Sequence, residues 1–130
     1  MLWTRELPVE PKALSALRLE ASVFLLASGV DAELDDAALL LSELVANAAT
    51  HGAKPATAIV DVSPDRVRIA VEDASPVGPE WPDEHASPSS GRGLRIVEAL
   101  SSDRGVEWRA PTGKTVWCEL RRGTGQRIKP

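Results

Sequence analysis

Cysteine is almost missing from this chain of 130 residues. The single Cys118 has no internal disulfide partner, which fits a reducing, cytoplasmic setting and leaves stability to the core. An excess of positive charge is missing as well. A net charge of −4 does not displace counterions from a phosphate backbone, which excludes a general nucleic-acid binder. No apolar run reaches about eighteen residues, and no charged-then-apolar leader opens the chain, so neither a membrane span nor export is expected. Internal repeats are absent too.

What remains is a chain of ordinary globular composition, 43% hydrophobic, of a size that builds one core unaided. Leu2 to Leu7 alternates like a short strand, and Pro8 and Pro11 end it, which suits a sheet edge. Pro11 opens a helix with Leu14, Leu17, Ala21 and Phe24 at three- and four-residue spacing, and Gly29 stops it. Asp31 or Asp35 is placed to cap a second helix, which ends at Gly52. Thr57–Val62 and Arg66–Asp73 are β-rich runs around the turn Ser63-Pro64-Asp65. From Ala74 to Gly93 periodicity disappears among prolines, serines and glycines, as in a lid or binding loop. Leu94, Val97 and Leu100 then mark a short helix, and Val106–Arg109 with Thr115–Arg121 a second hairpin. The expected architecture is α+β: a two-layer sandwich with helices on one face of a mostly antiparallel mixed sheet. The expected domain covers residues 1–122, followed by a basic tail, 123–130, expected to fray.

Two polar anomalies stand out against this frame. From Ala37 to Thr50 ten of fourteen residues are apolar, so Glu43 and Asn47, four apart on one helical stripe, are expected to be buried. Buried and unpaired, they cost several kcal/mol, on the order of the usual penalties for orphaned polar groups. Either they hydrogen-bond each other to fix helix packing, or a metal–phosphate group satisfies them. His51, one turn further, is also at home at a helix C-terminus for dipole reasons alone. The second anomaly is Asp73, which is in phase with the apolar Val67, Ile69 and Val71 and so aims a carboxylate at the core side. A turn cap explains it singly. Gly91-Arg92-Gly93-Leu94 leads from loop into helix, where free backbone N–H groups and the positive end of the dipole suit a phosphate. Gly113-Lys114-Thr115 is not a P-loop, because Trp108 stands where the first glycine is required and a β-run follows. Nor is Gly91-Arg92-Gly93 a dinucleotide fingerprint, since Ile96 replaces the third small residue.

Taken in order, Glu43-x-x-x-Asn47, Asp73, a loop, Gly91-x-Gly93 and Gly113-Lys114-Thr115 resemble the GHKL ATP-binding superfamily, whose fold is the Bergerat sandwich. The phrases Leu41-Ser42-Glu43-Leu44-Val45-Ala46-Asn47-Ala48 and Ser90-Gly91-Arg92-Gly93-Leu94 are similar to those of stand-alone anti-sigma-factor serine/threonine kinases. The resemblance implies ATP and Mg²⁺ as ligands, with Asn47 on the metal and Glu43 as general base. It implies Asp73 on the adenine amino group and Thr115 near the adenine. Gly91, Arg92, Gly93 and Leu94 are implied at the phosphates, with His51 approaching phosphates or lid. The implied substrate is a serine or threonine on an anti-sigma-factor antagonist, and the implied target a sigma factor. The alternative is an interaction module, with or without nucleotide, that transfers nothing. A homodimer is a further expectation, with Trp3 and the Leu2–Leu7 edge as contributors. One departure is visible: the family glycines two and four residues after the aspartate are Ser75 and Val77 here, which crowds the base pocket.

Overall fold

Three- and four-residue apolar spacing gives helices in this chain, and alternation gives strands. The computed structural model describes residues 1–8, 10–52, 55–76, 92–109 and 111–123. In chain order the elements are β1 (Leu2–Glu6), α1 (Pro11–Ala27), α2 (Leu34–His51), β2 (Thr57–Val62), β3 (Arg66–Asp73), α3 (Arg92–Leu100), β4 (Asp103–Trp108) and β5 (Lys114–Arg121). Pro11 starts α1 as expected, where its missing N–H costs nothing. Gly29, at φ +84°, ends it: its N–H donates to Leu26 O and that of Val30 to Leu25 O, a Schellman closure. Neither Asp31 nor Asp35 caps α2. The N-cap is Glu33, without a side-chain cap bond, and Asp35 lies in the first turn.

The five strands are ordered β1-β2-β3-β5-β4. Every ladder among them is antiparallel, so the expected mixture of directions is not found. β5 lies inside and β4 at the edge because β5 carries the apolar set Val116, Cys118 and Leu120, whereas β4 is mostly polar. Those three face Val71, Ile69 and Val67 across the β3–β5 ladder, and Val60 and Val62 extend the same face through β2. Upon it pack Leu17, Ala21 and Leu25 of α1, Leu40, Leu41, Leu44 and Val45 of α2, and Val97 of α3. The opposite face carries charge instead. There Arg68 lies 4.7 Å above the Trp117 ring and pairs with Glu107 at 3.3 Å, while Arg109 pairs with Glu72 at 2.7 Å. Such exposed pairs cover the face more than they stabilise it.

Cys118 is fully buried at the centre of β5, and burial pushes its thiol up to about 12, with Glu119 adding to the rise and Arg68 opposing it. The folded protein is therefore expected to resist thiol reagents at pH 8 and to react only once unfolded. Because the native group keeps its proton longer than an exposed thiol, this residue's contribution is intact below pH 9 and lost as pH rises towards 12. Thiol labelling against denaturant concentration checks the first point.

Arg122 fastens the end of the sheet to the helix layer. Its guanidinium donates to Ser63 O at 3.0 Å and Gly29 O at 2.9 Å, and its Nε stands 4.0 Å from Glu33. The Gly123 N–H donates to the same Glu33 carboxylate at 3.1 Å, which engages the side chain of the α2 N-cap away from the helix. Arg122→Ala should lower stability by about 2–3 kcal/mol through two lost charge-assisted bonds. A reduced urea midpoint at unchanged slope would be the signature.

Candidate functional site

The site is built along α2. Ala37, Leu40, Leu41, Leu44, Val45 and Ala48 form its buried stripe, and Glu43 and Asn47 lie on the border of that stripe, half-buried. This corrects the expectation that both are sunk in the core. A helix with one apolar stripe leaves its flanking residues partly open, however apolar the rest of it is. Neither side chain has a hydrogen-bond or ionic partner among the described residues. The pair is thus not a closed structural bond, and both groups remain available on one helical face. His51 is the last residue of α2.

α2 runs directly to the carboxylate of Asp73. Its C-cap is Gly52, whose N–H donates to Ala48 O at 2.8 Å. A Cβ on Gly52 would stand 2.6 Å from Ala48 O and 2.8 Å from Asp73 Oδ2, so the helix end and the β3 end meet only because that atom is missing. Asp73, the last residue of β3, is 7% exposed and on the helix face, as its phase implied. Counting five residues back from Gly52 puts Asn47 about 7 Å along the helix axis, and Glu43 about 13 Å. Glu43, Asn47 and the Gly52–Asp73 contact therefore follow one another along the axis of α2.

Asp73 has a partner that the sequence reading did not assign. Lys114, the first residue of β5, donates through Nζ to Oδ1 and Oδ2 at 2.9 Å each, and the two side chains are 4% and 3% exposed. The Ser75 N–H donates to Oδ1 at 2.7 Å. A clue was present: Lys114 is in alternating phase with Val116, Cys118 and Leu120, as Asp73 is with the apolar face of β3. Directly opposed residues of an antiparallel ladder project to one side, and Asp73 pairs with Lys114 whereas Thr115 pairs with Glu72. Thr115 is consequently on the far face of the sheet, not beside Asp73. This departs from its expected place near the base. A hollow of about 240 Å³ lined by Thr57, Glu72, Asp73, Ala74, Arg109 and Thr112 also opens by the β3 end; Thr57 and Glu72 belong to that far face, and Asp73 borders the hollow from the helix side.

The third part is the start of α3, formed by Arg92 and Gly93. Its free N–H groups and dipole suit an anion. Leu94 follows with its side chain buried at 3% exposure, so this residue anchors the helix and offers only its backbone to a ligand. α3 packs on α2, the helix that carries Glu43 and Asn47. Gly91 lies outside the described residues, as do Val77 and the greater part of the expected lid.

Residues 7–120 match the sequence model of the histidine kinase-like ATPase domain. The chain belongs to this family. A search of curated proteins finds no match. The histidine kinase-like ATPase domain is a GHKL-type ATP-binding unit, and ATP, usually with Mg²⁺, is its ligand. The donor set fits: an unpartnered amide oxygen on Asn47 is a hard ligand of the kind Mg²⁺ takes singly beside phosphate and water. Among the described residues no three acidic, His or Cys side chains converge. Nor, among them, is any helix long and apolar enough to cross a membrane.

Proposed function

We propose that this chain is an ATP-binding regulatory serine/threonine protein kinase of the anti-sigma-factor type. Its substrate would be a hydroxyl on an antagonist protein, and it would hold a sigma factor when that antagonist is phosphorylated. The observation that carries this reading is Glu43, a half-buried carboxylate without a partner among the described residues, on the same stripe as Asn47. A module that only binds has no use for an unpaired carboxylate one turn from its metal ligand.

Bound Mg·ATP supplies the transferable phosphoryl group and the cation that neutralises its charge. Asn47 would hold the metal through its amide oxygen. Glu43 orients the incoming hydroxyl and accepts its proton. The opening N–H groups of α3 would meet the phosphates, Arg92 would add charge there, and Asp73 would lie at the base end. Positioning and charge neutralisation provide most of the catalysis in phosphoryl transfer, so one carboxylate and one metal ligand suffice.

A second reading, a partner-binding module that transfers nothing, is favoured by the Lys114–Asp73 pair, which occupies the residue that reads the base. Incubating the protein with γ-labelled ATP and its antagonist separates the two. Label on the antagonist supports the kinase. Stabilisation by Mg·ATP without label on the antagonist would move the assignment to the binding module. Self-association, measured by sedimentation with and without nucleotide, tests the homodimer.

A further inference from the structure

Asp73 stands where the nucleotide-binding reading puts the base, and three N–H donors already occupy it. A carboxylate offers about four lone-pair directions. Lys114 takes one on each oxygen at 2.9 Å, and the Ser75 N–H takes a second on Oδ1 at 2.7 Å. The direction left on Oδ2 belongs to the oxygen that abuts Gly52, where even an added Cβ would come within 2.8 Å. The pair is sealed as well, with side chains 4% and 3% exposed. A base reaching this end of the site meets a neutralised ion pair and not a free acceptor.

We propose that Lys114 is the residue that decides base specificity, and that it abolishes the preference for adenine. The inference rests on the nucleotide-binding reading above. An unpaired carboxylate accepts a hydrogen bond from the amine at position 6 of adenine and repels the carbonyl oxygen that guanine carries there. A buried polar group set up in this way discriminates by roughly a hundredfold or more. Once Lys114 compensates the charge and fills the lone pairs, the amine gains nothing and the carbonyl is not repelled. Affinity then resides in the triphosphate, at Asn47 and the start of α3, which are common to both nucleotides.

Calorimetric titration of the full chain with Mg·ATP and with Mg·GTP tests this. The expected dissociation constants lie within about tenfold of one another, and Lys114→Met tightens ATP by about tenfold, the worth of one regained hydrogen bond, while GTP gains nothing. A wild-type preference for ATP beyond about tenfold overturns the proposal. So does a Lys114→Met protein whose ATP-to-GTP ratio equals that of the wild type. Lys114→Gln, which leaves one donor, replaces the Met variant if that does not fold, and the wild-type ratio decides if neither does. Binding of ATP with strong preference defeats this inference alone, whereas binding of neither nucleotide defeats the underlying reading with it.

Discussion

Asp73→Asn is expected to destabilise the protein by about 3–5 kcal/mol, the usual consequence of removing one member of a buried ion pair. The size follows from what is left behind. Lys114 is 4% exposed, and its ammonium would lose both carboxylate oxygens at 2.9 Å with no route to water. Asparagine keeps the shape and offers one acceptor, so the effect is electrostatic and leaves no cavity. Lys114→Met should cost less, because Asp73 retains the Ser75 N–H at 2.7 Å. The double variant should recover most of the loss, since swapping both charges for uncharged groups of similar volume is often close to neutral. Urea unfolding of the three variants gives the coupling directly. Single and double changes that simply add would mean the pair is not coupled.

The second large effect concerns rate. Glu43→Gln should slow phosphate transfer by roughly 10²–10⁴-fold, the range of a lost general base, which is about 3–5 kcal/mol of barrier. Nucleotide affinity should be unchanged, because the amide is the same size and Glu43 makes no bond among the described residues that holds the fold together. Asn47→Ala should behave differently. On the proposed role of Asn47 as metal ligand its removal weakens binding of Mg·ATP itself, so the rise in melting temperature on adding Mg·ATP should disappear together with the transfer. Equal turnover by Glu43→Gln and wild type would remove Glu43 from the chemistry, and an intact Mg·ATP shift in Asn47→Ala would remove Asn47 from the metal.

Much of the fold was legible because periodicity records which side faces the core. β2 and β3 have the expected bounds, Thr57–Val62 and Arg66–Asp73, and Pro11 and Gly29 mark the ends of α1 as their backbone chemistry requires. The cap of α2 was not legible. Asp31 and Asp35 are good cap residues in isolation, but Glu33 is drawn to Arg122 and Gly123, some ninety residues on. The depth of Glu43 and Asn47 was misjudged for a related reason: composition shows that a helix is mostly buried, whereas the angle at which it meets its neighbours selects which residues remain at the border.

Local pattern alone determined the α+β class, the turn positions, the line from Glu43 through Asn47 to Gly52, and the inward phase of Asp73, since each depends on spacings of a few residues. Pairing between distant segments was decided only by the folded chain. A one-residue choice of register puts Lys114, and not Thr115, on the side of Asp73. Strand alternation puts Lys114 in phase with the apolar Val116, Cys118 and Leu120, but that Asp73 is the residue it meets follows only when β5 is laid against β3. The buried Asp73–Lys114 ion pair follows from that one register.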